Sequence, residues 1–177
     1  MILIVGLGNP GDEYKNNRHN VGFVTIDNLA QELANNNFKL DKYSKSYIVK
    51  GETYLLAKPT TFMNSSGTAV KKLVTQCNIK NADLWVIHDD LDIRLGDYKI
   101  QNGVGPKIHN GLLSIYEKLG TKKFWHIRIG VDNREQDNRI AGEIYVLQNF
   151  RKDEIVERDR VINKAIEELR TKVISLT

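Results

Sequence analysis

The chain has 177 residues, four histidines, one cysteine and a formal net charge of +4. That length suits one domain, residues 1–177, with a sizeable core, and a lone Cys77 excludes an internal disulfide and fits a reducing compartment. No cationic-then-apolar leader and no apolar run of about 18 residues is found, which speaks against secretion or membrane spanning and for a cytoplasmic protein. The basic excess is spread along the sequence, so a polyanionic partner is permitted but a basic patch has to be assembled by folding.

In chain order, the first strand-like run is MILIV (1–5). Gly6, Gly8 and Gly11 then spell G-x-G-x-x-G, the outline of a dinucleotide-binding turn. A pyrophosphate needs a helix starting directly behind the third glycine. Here the polar stretch DEYKNNRHN follows instead, and Pro10 removes a backbone donor. The glycines read better as scaffolding that bends the first crossover. A helical pattern follows over 21–35, with Phe23, Ile26, Ala30 and Leu33 on one face. SYIVK (46–50) and TYLLA (53–57) pair as a hairpin through Lys50-Gly51-Glu52. Then come a helix over 65–77, which takes Cys77 as a small residue, and the strand LWVIH (84–88) with DDLD behind it. YKI (98–100) is a strand, NGVGPKIHNG a polar loop, 111–119 a helix and WHIRIGV (125–131) a strand. A last helix over 152–174 carries Ile155, Ile162, Ile166, Leu169 and Val173 as one core-facing stripe. Strands alternating with helices predict an α/β fold: a mixed twisted β-sheet sandwiched between helices in three layers, α/β/α.

Ligand sites in such sheets lie beyond the C-terminal ends of parallel strands. The loops there hold the chain's chemistry. His19 has no apolar face to fill, so Arg18-His19-Asn20 is either a helix entry with Asn20 as N-cap or the seat of a general base. His126 alternates with apolar neighbours and reads as structural, His88 as a hydrogen-bonding residue at the sheet edge, and His109 as a turn residue. Asp89, Asp90 and Asp92 are an orienting acid, plain caps, or, with His88 or His19, metal ligands. No further ligand set at helical spacing supports a metal. Asn9, Asn64 and Asn110 stand at loop junctions, where Asn64 and Asn110 also suit N-caps. Together such amides position a water and an acyl carbonyl. There is no G-x-S-x-G, and Ser65 and Ser66 fit the first turn of a helix, so a water deprotonated by His19 is the simpler nucleophile.

GLGNPGDEY, RHNVG, KPTTFMNSSG and HDDLD followed by HNGLLSI, in this order and spacing, resemble bacterial-type peptidyl-tRNA hydrolase. The resemblance runs from Leu3 to about Gly130 and more loosely to the C-terminal helix. It implies a single α/β domain that cleaves the ester between a peptide and the 3′ ribose of tRNA, with no metal or organic cofactor. Its partner is peptidyl-tRNA, held by acceptor stem, 3′ CCA end and peptide; no membrane is involved and the expected state is a monomer. By the same resemblance His19 is the general base and Asp89 its orienting acid, and Asn9 and Asn64 place substrate and water. Asn110 gates the cleft and holds peptide backbone, Tyr14 and Met63 line the peptide site, and Arg128 clamps the terminal 5′ phosphate of tRNA. The alternative is an RNA-binding protein that has lost turnover on the same scaffold.

Three departures from the family pattern stand out. Val104, Lys107 and Ile108 interrupt a loop that is usually glycine-rich, restricting the backbone before Asn110. Gln101 occupies the position of the clamp's partner lysine, for which Lys99 or Lys107 could substitute. Asn17 replaces a threonine ahead of Arg18.

Overall fold

The structure, a computed structural model, describes residues 1–33, 37–135, 137 and 139–174. Its strands are β1 (Ile2–Gly6), β2 (Lys39–Asp41), β3 (Ser46–Lys50), β4 (Tyr54–Pro59), β5 (Leu84–Arg94), β6 (Tyr98–Asn102) and β7 (Trp125–Asp132). The helices are α1 (Val21–Glu32), α2 (Ser66–Gln76), α3 (Asn110–Leu119), α4 (Gly142–Tyr145) and α5 (Lys152–Leu169). All seven strands join one sheet in the order β2-β3-β4-β1-β5-β7-β6. Its centre, β4, β1, β5 and β7, is parallel; β3 on β4, β2 on β3 and β6 on β7 are antiparallel.

Alternation along the strands splits the core between two faces. Leu3 and Val5 pack with Val70 and Leu73 of α2 and Leu112 and Ile115 of α3. Ile4 packs with Ile26 and Leu29 of α1 and Ile162 and Ile166 of α5. The three-layer reading therefore holds. In α5 the stripe Ile162, Ile166 and Leu169 is buried, while Ile155 packs at its margin. No helix among the described residues is long and apolar enough to cross a membrane.

Several boundaries differ from those expected. The strand at 84–88 continues to Arg94, because β7 goes on pairing with it: Asp89 lies opposite Ile129 and Asp90 opposite Gly130. The Asp-rich segment is thus strand rather than loop, its charges tolerated because each finds a partner. The short strand β2 is partly exposed and α4 is a single turn, so neither leaves an apolar period to read. The first helix ends at Glu32, and the remainder of its expected span lies partly outside the described residues. The last helix widens into a π-helical turn over Arg170–Ile174.

Between β1 and α1 the chain makes two 3₁₀ turns, Asp12–Tyr14 and Arg18–Asn20, and the α-helix starts only at Val21, ten residues behind the third glycine. The start of α1 presses on the ends of β1 and β5. A Cβ added at Gly22 would stand 2.5 Å from the Leu7 backbone and from the Ile87 carbonyl, and one at Gly6 2.3 Å from the Gly22 carbonyl. That close approach seats residues 18–20 on the sheet's rim.

Candidate active site

β1 ends at Gly6, alongside Ile87, while β5 runs on. Asp89 therefore projects past the end of its neighbour, where residues from both helical layers can reach it. From the α1 side comes His19, its Nδ1 2.8 Å from Asp89 Oδ1. From the other side comes His109, its Nε2 2.9 Å from the same oxygen. All three side chains are buried, and the two rings lie 4.9 Å apart.

The hydrogen bonds fix the tautomers. His109 is the N-cap of α3, and its Nδ1 accepts from the Leu112 N–H at 3.3 Å, so Nε2 carries the proton given to Asp89. His19 donates Nδ1–H to Asp89, which leaves Nε2 as its basic nitrogen. Burial pulls the His19 pKa down, but the charge of Asp89 and the hydrogen bond to it outweigh that and raise it above the usual 6.5. Burial alone would raise the Asp89 carboxyl; the two imidazoles reverse this and hold it well below the carboxylate range. Sequence reasoning missed His109, reading it as a turn residue. Its signals were its place directly before a helix and at the head of the motif HNGLLSI.

The remaining histidines form a neutral pair on the α3 side of the sheet, where the His88 ring stands 5.3 Å from that of His109. His88 donates Nδ1–H to the Asp89 carbonyl at 2.9 Å, and its Nε2 stands 3.3 Å from His126 Nδ1. Complete burial holds His88 well below the usual value, and burial brings His126 to about 4. His126 is structural, as expected. His88 sits in a central strand between β1 and β7, not at the sheet edge.

The amides divide by role. Asn20 occupies the N-cap position of α1 but makes no capping bond. Instead it grips the Asn9 main chain, accepting from Asn9 N at 2.9 Å and donating to Asn9 O at 2.9 Å. Asn9 Oδ1 accepts the Met63 N–H at 2.8 Å, so what Asn9 has left to offer a substrate is its Nδ2 donor. The expected caps at Asn64 and Asn110 are displaced by one residue each. Ser65 precedes α2 and His109 caps α3, which frees both exposed asparagines from that duty. A Cβ at Gly111 would lie 2.5 Å from Met63 Sδ; glycine there lets the Met63–Asn64 turn close on the start of α3. Tyr14 is half-buried, edge-on to Phe62 at 6.4 Å.

A cleft of about 430 Å³ opens beside the trio, with His19, Asp89, His109 and Asn110 on one side and Leu91, Pro106, Ile108, Ala141 and Val146 as apolar wall. Lys107 lines it and donates its N–H to Asp92 at 2.8 Å. Arg128 is only 7% exposed: Nε donates to Asp90 at 2.7 Å and one terminal nitrogen to Gln101 at 2.7 Å. Lys99, its cross-strand neighbour on β6, is exposed. His19, Asp89 and His109 offer three donor atoms within 4.8 Å of one another. Both ring nitrogens, however, already bond the same carboxylate oxygen, and a cation there would have to break both bonds. The set suits proton handling better than ligation.

Comparison with known proteins gives consistent results. A family model described as peptidyl-tRNA hydrolase matches residues 3–175. The peptidyl-tRNA hydrolase of Bacillus subtilis (strain 168) is 39% identical over 94% of this chain and 88% of its own length. That of Mycoplasmopsis synoviae (strain 53) is 43% identical over 93% of this chain and 86% of its own. The crystal structure of peptidyl-tRNA hydrolase from Acinetobacter baumannii superposes with a TM-score of 0.87 at 31% identity, covering 96% of this chain and 87% of that one.

Proposed function

The chain belongs to the peptidyl-tRNA hydrolase family and hydrolyses peptidyl-tRNA, and from that premise we propose that His19 is the general base and Asp89 its orienting acid. The observation that carries this is the 2.8 Å bond from His19 Nδ1 to Asp89 at the strand-end rim. It leaves Nε2 to take a proton from water as the water oxygen attacks the ester carbonyl. The oxyanion is met by amide donors, Nδ2 of Asn9 with Asn64 and Asn110 beside it. Collapse breaks the bond to the 3′ ribose oxygen, which recovers the proton from His19 Nε2. The peptide carboxylic acid so formed loses its remaining proton to solvent, leaving a peptide carboxylate and a tRNA with a free 3′ hydroxyl, ready for recycling.

Tyr14 and Met63 border the peptide's path in this reading, and Asn110, held at the start of α3, binds peptide backbone. Arg128, held by Asp90 and Gln101, with Lys99 and Lys107 forms the clamp for the tRNA phosphate. A cytoplasmic location and a monomeric state belong to the same reading; the free thiol of Cys77 fits the reducing compartment. The test is release of peptide from a peptidyl-tRNA by purified protein. His19→Ala is expected to lower the rate on the order of 10² to 10⁴-fold; release at the wild-type rate would end the proposal.

A further inference from the structure

Directly behind the base lies a buried ion pair that the mechanism above does not use. Arg18 and Glu154 meet at 2.6 Å, their side chains 2% and 1% exposed. The Arg18 guanidinium also donates to the carbonyls of Gln148 at 3.2 Å and Asn149 at 2.9 Å, and lies 4.0 Å over the Tyr145 ring. Glu154 completes the knot: one oxygen accepts the Arg151 N–H at 2.8 Å, the other Asn133 Nδ2 at 3.0 Å. Asn133 in turn donates its N–H to the Tyr145 hydroxyl at 3.1 Å. Four segments are tied at one point: the His19 turn, the end of β7, the α4 region and the start of α5.

The main chain repeats the tie. His19 N donates to Val146 O at 2.8 Å, and Arg18 N to Gln148 O at 3.1 Å. Val146 is part of the wall of the cleft that His19 lines. Glu154 also caps the first turn of α5 through the Arg151 N–H, but that duty needs no buried arginine, and an apolar pair often serves a buried site as well as an ion pair. What the charged pair adds is direction: a planar fork with fixed partners.

We propose that Arg18 and Glu154 are positioning residues, holding the His19 imidazole and the Ala141–Val146 wall of the cleft in one register. The inference rests on His19 being the base. Misplacing a reacting group by about 1 Å costs on the order of a hundredfold in rate, so loss of the pair should fall on kcat, with KM little changed.

Three variants test it: Arg18→Lys, Glu154→Gln, and the volume-keeping apolar double variant Arg18→Met/Glu154→Leu. Each is read by Tm, by kcat and KM for peptidyl-tRNA, and by NMR titration of the His19 imidazole without substrate. Facing that imidazole are Asp89 from β5, His109 from the start of α3, and Asp92, Lys107 and Glu143 along the cleft. The double variant leaves the Arg151 N–H and Asn133 Nδ2 without their Glu154 acceptor, so it should fold with a lowered Tm while kcat stays down about ten- to a hundredfold. Its His19 titration should move back toward the ordinary imidazole value as the grip on Asp89 loosens. A folded double variant with wild-type kcat and His19 titration would overturn the proposal, and a set in which none folds would overturn it too, assigning the pair to folding. Failure of the general-base reading shows separately, as wild-type turnover in His19→Ala.

Discussion

At the residue scale, chemistry is concentrated on one oxygen of Asp89 shared by two imidazoles. Only the neutral form of His19 accepts a proton, and its pKa is raised, so turnover with chemistry limiting should climb with pH through a midpoint above 6.5. Stability runs the other way. A raised folded-state pKa means that the charged His19–Asp89 pair supports the fold fully below the unfolded imidazole's value and fades as pH rises through the folded one. Rate and Tm measured on one pH series should therefore trend oppositely across that window. Asp89→Asn should lower kcat by less than His19→Ala and shift the midpoint downward, since the charge that lifts His19 is gone. His109→Asn separates two duties. Asparagine caps a helix as well as any residue but is too short to hold Asp89. Tm should stay near wild type while the rate drops on the order of tenfold; an unchanged rate would reduce His109 to a cap.

At the element scale, the site depends on β1 stopping while β5 continues, and on α1 beginning tightly against both. Gly22→Ala would drive a methyl to 2.5 Å from two backbone groups, an overpacking that costs about 1–3 kcal/mol. The expected Tm loss is about 2–4 °C per kcal/mol for a chain of this size, together with lower activity from a shifted His19 turn. Much of this layout was legible beforehand. The strand and helix periods of β1, α1, β5, α3 and α5 gave three layers, and the strand-end rule gave the rim. What escaped was set by partners distant in the chain. That β5 carries buried aspartates follows from pairing with β7, and charged residues never look like strand in isolation. Asn20 gives up its capping role to grip Asn9, His109 adds a contact to Asp89 to its cap, and Arg18 is buried among partners from residues 145–154, Glu154 of α5 included. The motifs single out His19 and Asp89, which the fold brings together; their supports come from sequence separations that spacing does not reveal.

At the scale of the whole molecule, a net charge of +4 spread along the sequence must hold a polyanion through a few local groupings. Around the β6–β7 edge and the cleft these divide into one inner and two outer cations. Arg128 is buried and spends its charge on Asp90, while Lys99 across the strand pair and Lys107 at the cleft are exposed. Binding to tRNA should weaken linearly in log affinity against log salt, each phosphate contributing a slope of about 0.7 to 0.9. Replacing Lys99 and Lys107 by alanine should shallow that slope by about one per contact removed and leave Tm almost unchanged. Arg128→Met should act in the opposite sense. It strands Asp90, whose side chain is 0% exposed, as a buried charge without its partner, at a cost of about 3–5 kcal/mol, and should move the salt slope less than the lysine pair does. Tm and salt-dependent tRNA binding, measured on both variants, decide between the inner arginine and the outer lysines. A slope that falls mainly with Arg128 would mean that tRNA draws the guanidinium away from Asp90 on docking.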